Sequence, residues 1–291
     1  MKKKKIYIAG CGGMLGEAFY INYKDDYIIK CSDINNKDKW LHYLDFTDFN
    51  SYKNDVFDFK PDYLFHIGAL TDIEFCELNP ELTYQTNTES VQSAVFIANE
   101  LSIPILYIGT AGIFDGKKNS YDESDIPDPI GHYAKSKFLG EKFVIENAKK
   151  YLICRAGWMM GGGPNKEKKF VHKILEQIKA GKKELFIVDD KLGTLTYTQD
   201  FSKNVRLLIE KEKWGLYNMV CSDFTSRMEV AKKIINHLGF NNTIKITKVN
   251  SNYFSENYFV ERPNSERLIN KKLNDLELNI MRNWEIALVE Y

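Results

Sequence analysis

Short apolar runs alternate with longer segments in which apolar residues recur every three or four positions, and this rhythm dominates the first 160 residues or so. Lys5-Ile6-Tyr7-Ile8-Ala9 predicts a strand and Met14 to Tyr23 a helix. Residues 27–31 predict a second strand, and 62–67, opened by Pro61, another. In the segment that follows, Val91, Val95, Ala98 and Leu101 share one helical face. Ile105-Leu106-Tyr107-Ile108 is a strand too short and apolar to lie anywhere but inside, 133–149 is a helix, and 151–154 is the next strand. Alternating βα units predict a parallel sheet with helices on both faces, and right-handed crossovers make it a doubly wound α/β fold.

The rhythm changes after about residue 160, where Gly161-Gly162-Gly163-Pro164 breaks the chain. Phe170, Ile174, Leu175 and Ile178 mark a helix over 170–180. Further units follow at 201–210 with 215–220, and then a helix near 227–238 with Ser226 and Glu229 at capping-box spacing. The tail alternates as a strand from Thr243 and turns polar around Arg262-Pro263. These patterns predict one domain over 1–160, to which the chain returns at about 194–222. They predict a smaller C-terminal α/β lobe over 161–291, built mainly from 161–193 and 223–291.

Composition narrows the partners. An apolar fraction of 44% with 27% charge over 291 residues suits a globular chain with a sizeable core. The formal net charge is zero, which gives no bulk electrostatic case for a nucleic-acid or membrane partner. Lys2-Lys3-Lys4-Lys5 is the local exception, either an anion-binding tail or, more commonly, a solvated entry to the first strand. No apolar stretch follows it as in a signal peptide, and none reaches the roughly 18 to 20 residues of a membrane span. Five cysteines are scattered without a C-x-x-C pair, as in reduced thiols of a cytoplasmic protein. The five histidines are dispersed as well, so no metal is expected.

Candidate chemistry begins at Gly10-Cys11-Gly12-Gly13-Met14-Leu15-Gly16, between the first strand and first helix. Gly10, Gly13 and Gly16 allow a tight turn, close approach of backbone to a pyrophosphate, and close packing of helix on strand. The start of the helix offers unpaired N–H groups and a positive dipole end to phosphates. The setting between strand and helix is that of a Rossmann-type dinucleotide site, with Met14 and Leu15 in its wall. Asp33, just past the second strand, is placed to accept from both adenosine ribose hydroxyls, which favours NAD(H) slightly over NADP(H). Lys30 and Lys37 pull the other way. Asp45-Phe46-Thr47-Asp48 either flanks the adenine, through Asp45 and Phe46, or caps the next helix at Thr47 or Asp48.

Tyr133 and Lys137 stand at i and i+4, one turn apart on one helix face. A free tyrosine holds its proton to a pKa near ~10, and a neighbouring ammonium brings it towards the working range. The strand before that helix ends at Thr110, whose hydroxyl at the sheet's carboxyl edge is placed to share the substrate oxygen. Thr110, Tyr133 and Lys137 thus form a proton-transfer set.

With these residues in place the chain resembles the extended short-chain dehydrogenase/reductases, most closely the dTDP-4-dehydrorhamnose reductase (sugar-nucleotide reductase) family. The likeness runs over nearly the whole length. It takes in the glycine turn, Asp45-Phe46-Thr47-Asp48, and His66-Ile67-Gly68-Ala69-Leu70-Thr71-Asp72 with Cys76-Glu77-Leu78-Asn79-Pro80-Glu81 and Asn87. It continues through Gly109-Thr110-Ala111-Gly112-Ile113-Phe114-Asp115-Gly116 and Tyr133-Ala134-Lys135-Ser136-Lys137. Arg155-Ala156-Gly157-Trp158, Gly193-Thr194-Leu195-Thr196-Tyr197-Thr198 with Asp200, and Arg262-Pro263 complete it. The resemblance implies Thr110, Tyr133 and Lys137 as the catalytic set, with Tyr133 giving its proton to the C4 oxygen as the nicotinamide delivers hydride. It implies that Gly68 and Ala69 line the cofactor, that Tyr133 and Lys137 also touch it, and that Thr110, Trp158 and Arg262 meet a nucleotide sugar. Trp158 at a strand end also reads as a core aromatic.

Departures accompany the likeness. Gly109-Thr110-Ala111-Gly112 stands where these reductases usually carry Ser-Thr-Asp-Tyr, Glu266 where serine is usual, and Leu195 where proline is usual. The sugar site is therefore expected to differ while the redox machinery is intact. The resemblance implies an NAD(P)H-dependent reductase of a 4-keto-6-deoxy nucleotide sugar feeding surface polysaccharide. The alternatives are a sugar-nucleotide epimerase that holds its NAD tightly, and a non-catalytic dinucleotide-binding regulatory subunit like that of methionine adenosyltransferase. A homodimer is the form common among relatives.

Overall fold

The computed structural model describes residues 3–291. Seven strands form one sheet: β1 (Lys5–Ala9), β2 (Ile28–Asp33), β3 (Leu41–Tyr43), β4 (Tyr63–His66), β5 (Ile105–Thr110), β6 (Tyr151–Ala156) and a seventh, Gly215–Asn218. Their order is β3-β2-β1-β4-β5-β6 and then the seventh, with every pair parallel. The direction of winding reverses between β1 and β4, and in sheets of this kind ligands bind in the crevice outside the carboxyl ends at that reversal.

Alternation along each strand divides the core. Ile6 and Ile8 of β1, Phe65 of β4, Leu106 and Ile108 of β5, and Leu152 and Cys154 of β6 face one apolar cluster. Tyr7 and Ala9, Leu64, Ile105 and Tyr107, and Ile153 face the other. Both faces are covered, so the strands read as continuous apolar runs with no polar face. Strands β2, β5 and β6 extend past those runs to Asp33, Thr110 and Ala156, because the ladder continues through small and polar residues at the functional edge.

Helix boundaries shift by a residue or two from the sequence reading. The helix read as 133–149 spans Gly131–Asn147, and Glu77 accepts from the His132 N–H in its first turn. Of the two caps weighed for the helix Phe49–Phe59, Asp48 is the one used, accepting from the N–H groups of Asn50 and Ser51. Ser226 caps Arg227–His237 by accepting from Glu229 N. Of the lysine run, Lys2 lies outside the described residues, and Lys3, Lys4 and Lys5 are not a free tail. They donate to the Asp25 carbonyl, the Tyr63 hydroxyl and the Phe59 carbonyl.

The rest of the chain places side chains over the carboxyl edge. Trp158–Met160 pairs with Leu195–Tyr197, and Glu184–Val188 with Lys245–Val249. Leu192–Gly193 lies between Thr225–Ser226 and Ser265–Glu266. That last arrangement sets Glu266 beside Gly193, whose missing Cβ leaves room for the Trp158 ring 2.6 Å from where it would stand.

Candidate active site

The turn after β1 is built by contacts that only glycine permits. Gly10 has φ +78°, and a Cβ on it would lie 2.1 Å from the Gly68 Cα, so the ends of β1 and β4 meet backbone to backbone. Phe46 closes the same spot, with its ring edge 2.3 Å from where a Gly68 Cβ would be. A Cβ on Gly16 would fall 2.0 Å from the Cys11 carbonyl oxygen, which explains how the first helix packs so tightly on the turn. Gly13, by contrast, faces open space and is the N-cap of Met14–Tyr23 with no capping side chain. An uncapped helix start opening on free space suits a diphosphate.

Asp33 reaches into this turn. Its Oδ2 accepts from Gly12 N at 2.8 Å and its Oδ1 from Asn35 N at 2.8 Å. Asp45 is occupied locally, accepting from the N–H and hydroxyl of Thr47 at 2.9 and 2.7 Å. Leu15 packs in the core, while the Met14 backbone lies under Gly162, whose Cβ would stand 3.1 Å from the Met14 Cα. Ala69 is half-buried in the loop after β4. Asn87 pins the next residue, accepting from Leu70 N at 2.8 Å and donating to Leu70 O at 3.0 Å. The same amide donates to Ser136 Oγ at 3.1 Å, coupling that loop to the Tyr133 helix. Asn87 sits in a π-helical turn, Gln85–Glu89, a feature common at functional sites.

One residue here escaped the sequence reading. Lys166 donates to the Gly12 carbonyl at 2.9 Å and pairs with Asp38 at 2.6 Å, its ammonium 5.2 Å from the centre of the Trp40 ring. The glycines at 161–163 reveal only a chain break, and nothing local marks the lysine that follows as part of the turn.

Thr110 ends β5 with its Oγ1 accepting from Gly112 N at 3.2 Å, and Tyr133 stands across from it. A Cβ on Gly112 would lie 3.5 Å from Thr110 Oγ1 and 3.9 Å from the Tyr133 ring. Burial pushes the Tyr133 phenol up to about 12, the Thr110 hydroxyl pulls it down, and the Glu266 carboxylate raises it. Lys137 is buried and pushed down to about 7 by the loss of water, against a smaller upward pull from Glu141. Its ammonium lies 4.2 Å from the centre of the Tyr107 ring. The i, i+4 spacing predicts an ammonium that lowers the tyrosine. Loss of water outweighs that effect in both groups, and the half-buried Tyr133 phenol, already protonated at neutral pH when free, stays so.

Beneath them, Arg155 pairs through Nε and Nη2 with Glu141, closest at 2.6 Å, both nearly inaccessible to water. Gly109 makes room for that pair, since its Cβ would fall 2.8 Å from Glu141 Oε2.

On the outer side, Trp158 donates from Nε1 to Glu266 Oε2 at 2.7 Å, and the Arg227 guanidinium lies 3.8 Å from the centre of the indole. Trp158 is thus joined to Glu266 as well as packed on Gly193. Arg262 is not brought into this group. It is forked onto Glu74 at 2.7 and 2.8 Å and onto the Val260 carbonyl at 2.8 Å, while Arg227 covers the indole. Arg227 opens an ordinary amphipathic helix, and nothing in its sequence context distinguishes it.

Several known proteins are similar to this chain. A family model described as the RmlD substrate binding domain matches residues 4–291. The spore coat polysaccharide biosynthesis protein SpsK of Bacillus subtilis is 28% identical over 250 residues, covering 85% of this chain and 84% of that protein. The crystal structure of dTDP-4-dehydrorhamnose reductase from Yersinia enterocolitica is 32% identical with a TM-score of 0.88, over 99% of this chain and 98% of that one. The Bacillus anthracis dTDP-4-dehydrorhamnose reductase, solved in complex with NADP, is 26% identical with a TM-score of 0.91, over 100% and 99%.

Proposed function

The chain belongs to the RmlD substrate binding domain family, and on that premise we propose that it reduces a 4-keto-6-deoxy nucleotide sugar with NADH or NADPH. The observation that carries the reading is the meeting of Thr110 and Tyr133 at the carboxyl edge of β5, with Lys137 buried one helical turn on. The chain is an oxidoreductase of the extended short-chain dehydrogenase/reductase type, and making a precursor of surface polysaccharide fits that chemistry.

The nicotinamide cofactor supplies the hydride when bound. Gly10, Gly13, Met14, Leu15 and Gly16 would hold its diphosphate, Asp33 its adenosine ribose, and Phe46, Gly68 and Ala69 the crevice wall. Among the described residues the buried Lys137 ammonium makes no direct hydrogen bond or ion pair, Glu141 acting on it only from a distance. It is therefore free to bind ribose hydroxyls. Tyr133, protonated at neutral pH, gives its phenolic proton to the C4 oxygen, and Thr110 donates a second hydrogen bond to that oxygen. Lys137 in its charged form stabilises the phenolate left behind. Residues 161–193 and 223–291 form the substrate lobe, with Trp158 at its border.

Asp33 supports a modest preference for NAD(H), since a carboxylate at the turn repels a 2′-phosphate. Lys166, which is bonded to the turn at the Gly12 carbonyl, is already paired with Asp38. The test is loss of nicotinamide absorbance with 4-keto-6-deoxy sugars on dTDP, UDP, GDP and CDP. Stoichiometric loss with one carrier supports the reading. No loss with any, and NAD retained in the purified protein, would replace it with an epimerase.

A further inference from the structure

Glu266 is a carboxylate that faces both Tyr133 and the gap left at Gly112. Its Oε1 lies 3.5 Å from where a Gly112 Cβ would stand, the same distance as Thr110 Oγ1. Its Oε2 is held by the Trp158 indole at 2.7 Å, which fixes the direction of the carboxylate. Oε1 has no hydrogen-bond donor among the described residues, and the side chain is only partly buried. The two departures noted in the sequence, Gly112 and Glu266, therefore occupy one place. A Cβ at 112 would touch both oxygens in ordinary van der Waals contact, so any longer side chain there would lie between them, and glycine leaves an oriented acceptor beside the reacting group.

We propose that Glu266 is a specificity-determining residue whose Oε1 accepts a hydrogen bond from a hydroxyl on the ring carbon next to the sugar's carbonyl. The inference rests on the reductase reading given above. A carboxylate accepts and does not donate, so it repels a bare carbonyl oxygen and selects a donor. Thr110 and Tyr133 take the carbonyl oxygen, and Glu266, on the far side of the Gly112 gap, reaches the neighbouring ring position. Arg227, stacked on the same indole, offsets the carboxylate's charge, so a neutral hydroxyl is enough and an ammonium is not required. Hydrogen bonds to charged acceptors are among the stronger ones, and a site built around one discriminates against the analogue that lacks the donor.

The test uses two 4-keto-6-deoxyhexose nucleotides that differ only in hydroxyl or hydrogen at the carbon adjacent to the carbonyl. Wild-type protein is expected to favour the hydroxylated sugar by about ten- to hundred-fold in kcat/KM. Glu266→Ser should bring the two within about three-fold, mainly through KM for the hydroxylated sugar. Glu266→Gln, which keeps an acceptor for the indole, should lose part of the preference and serves if the serine variant folds poorly. Equal use of both sugars by the wild type would overturn the inference and leave the reductase reading standing. So would an unchanged preference in both variants. Turnover of neither sugar on any carrier would remove the reductase reading and this inference with it.

Discussion

Lys137 is a group the fold holds at a cost, and replacing it with methionine should make the protein more stable and less active. The replacement keeps length and volume, so no cavity opens beside Tyr107. Loss of water lowers the lysine from its ordinary 10.5 to about 7 in the folded chain. The sign follows from linkage. Well above pH 10.5 the amine is neutral in both states and folding is not penalised. As pH falls towards 7 the unfolded chain gains a proton that the folded chain resists, so the penalty grows, and below 7 it is present in full. At about 1.4 kcal/mol per pH step, the penalty reaches at most ~4 kcal/mol at pH 7 and is near ~1 kcal/mol at pH 10. Water penetration and attraction to the Tyr107 ring reduce the figure, so Lys137→Met should gain about 2 kcal/mol at pH 7 and almost nothing at pH 10. Urea denaturation of the cofactor-free protein at both pH values measures this. Turnover at pH 7 should fall at least about a hundred-fold. A gain of equal size at both pH values would mean that packing, not charge, is responsible. No gain at pH 7 would refute the burial argument.

Other perturbations probe the remaining parts. Tyr133→Phe removes the proton donor and should lower kcat by about a hundred-fold or more while cofactor affinity, read by nicotinamide fluorescence, stays within about two-fold. A variant that kept its activity would show that another group gives the proton. Asp33→Ala removes both the repulsion of a 2′-phosphate and the acceptor for Gly12 N, so any NADH over NADPH preference in kcat/KM should narrow at least about five-fold. An unchanged ratio would take Asp33 out of the cofactor site. Glu141→Gln leaves the buried Arg155 charge without its counter-ion and should lower stability by roughly 3 to 5 kcal/mol in urea titration. A loss under about 1 kcal/mol would mean that water reaches the pair.

Much of this architecture can be read from the chain, because both faces of a parallel sheet are covered and its strands stand out as apolar runs between glycine-rich turns. The turn at Gly10, the cap at Ser226 and the Thr110–Tyr133–Lys137 spacing depend on residues close in sequence, and local pattern reveals them. What local pattern misses is assembled across long separations. Lys166 meets Gly12, Trp158 meets Glu266, and Arg227 covers the indole only after the chain has closed over the sheet edge. Arg262, singled out by its motif, turns to Glu74 instead, a partner no spacing rule suggests. Electrostatics was the least legible part, since the environment of Tyr133 and Lys137 is set by burial that sequence proximity does not disclose.

The most direct measurement follows the hydride itself. Reduced cofactor with both C4 hydrogens of the nicotinamide replaced by deuterium is incubated with a 4-keto-6-deoxy nucleotide sugar, and the product sugar is weighed by mass spectrometry. The account predicts one deuterium at C4 for each cofactor oxidised, and no transfer in Tyr133→Phe on the same timescale. No oxidation of the added cofactor and no labelled product, with turnover instead of the 4-hydroxy nucleotide sugar on bound NAD, would mean that a hydride is taken from C4 and returned to the same sugar, and the chain would not be a reductase.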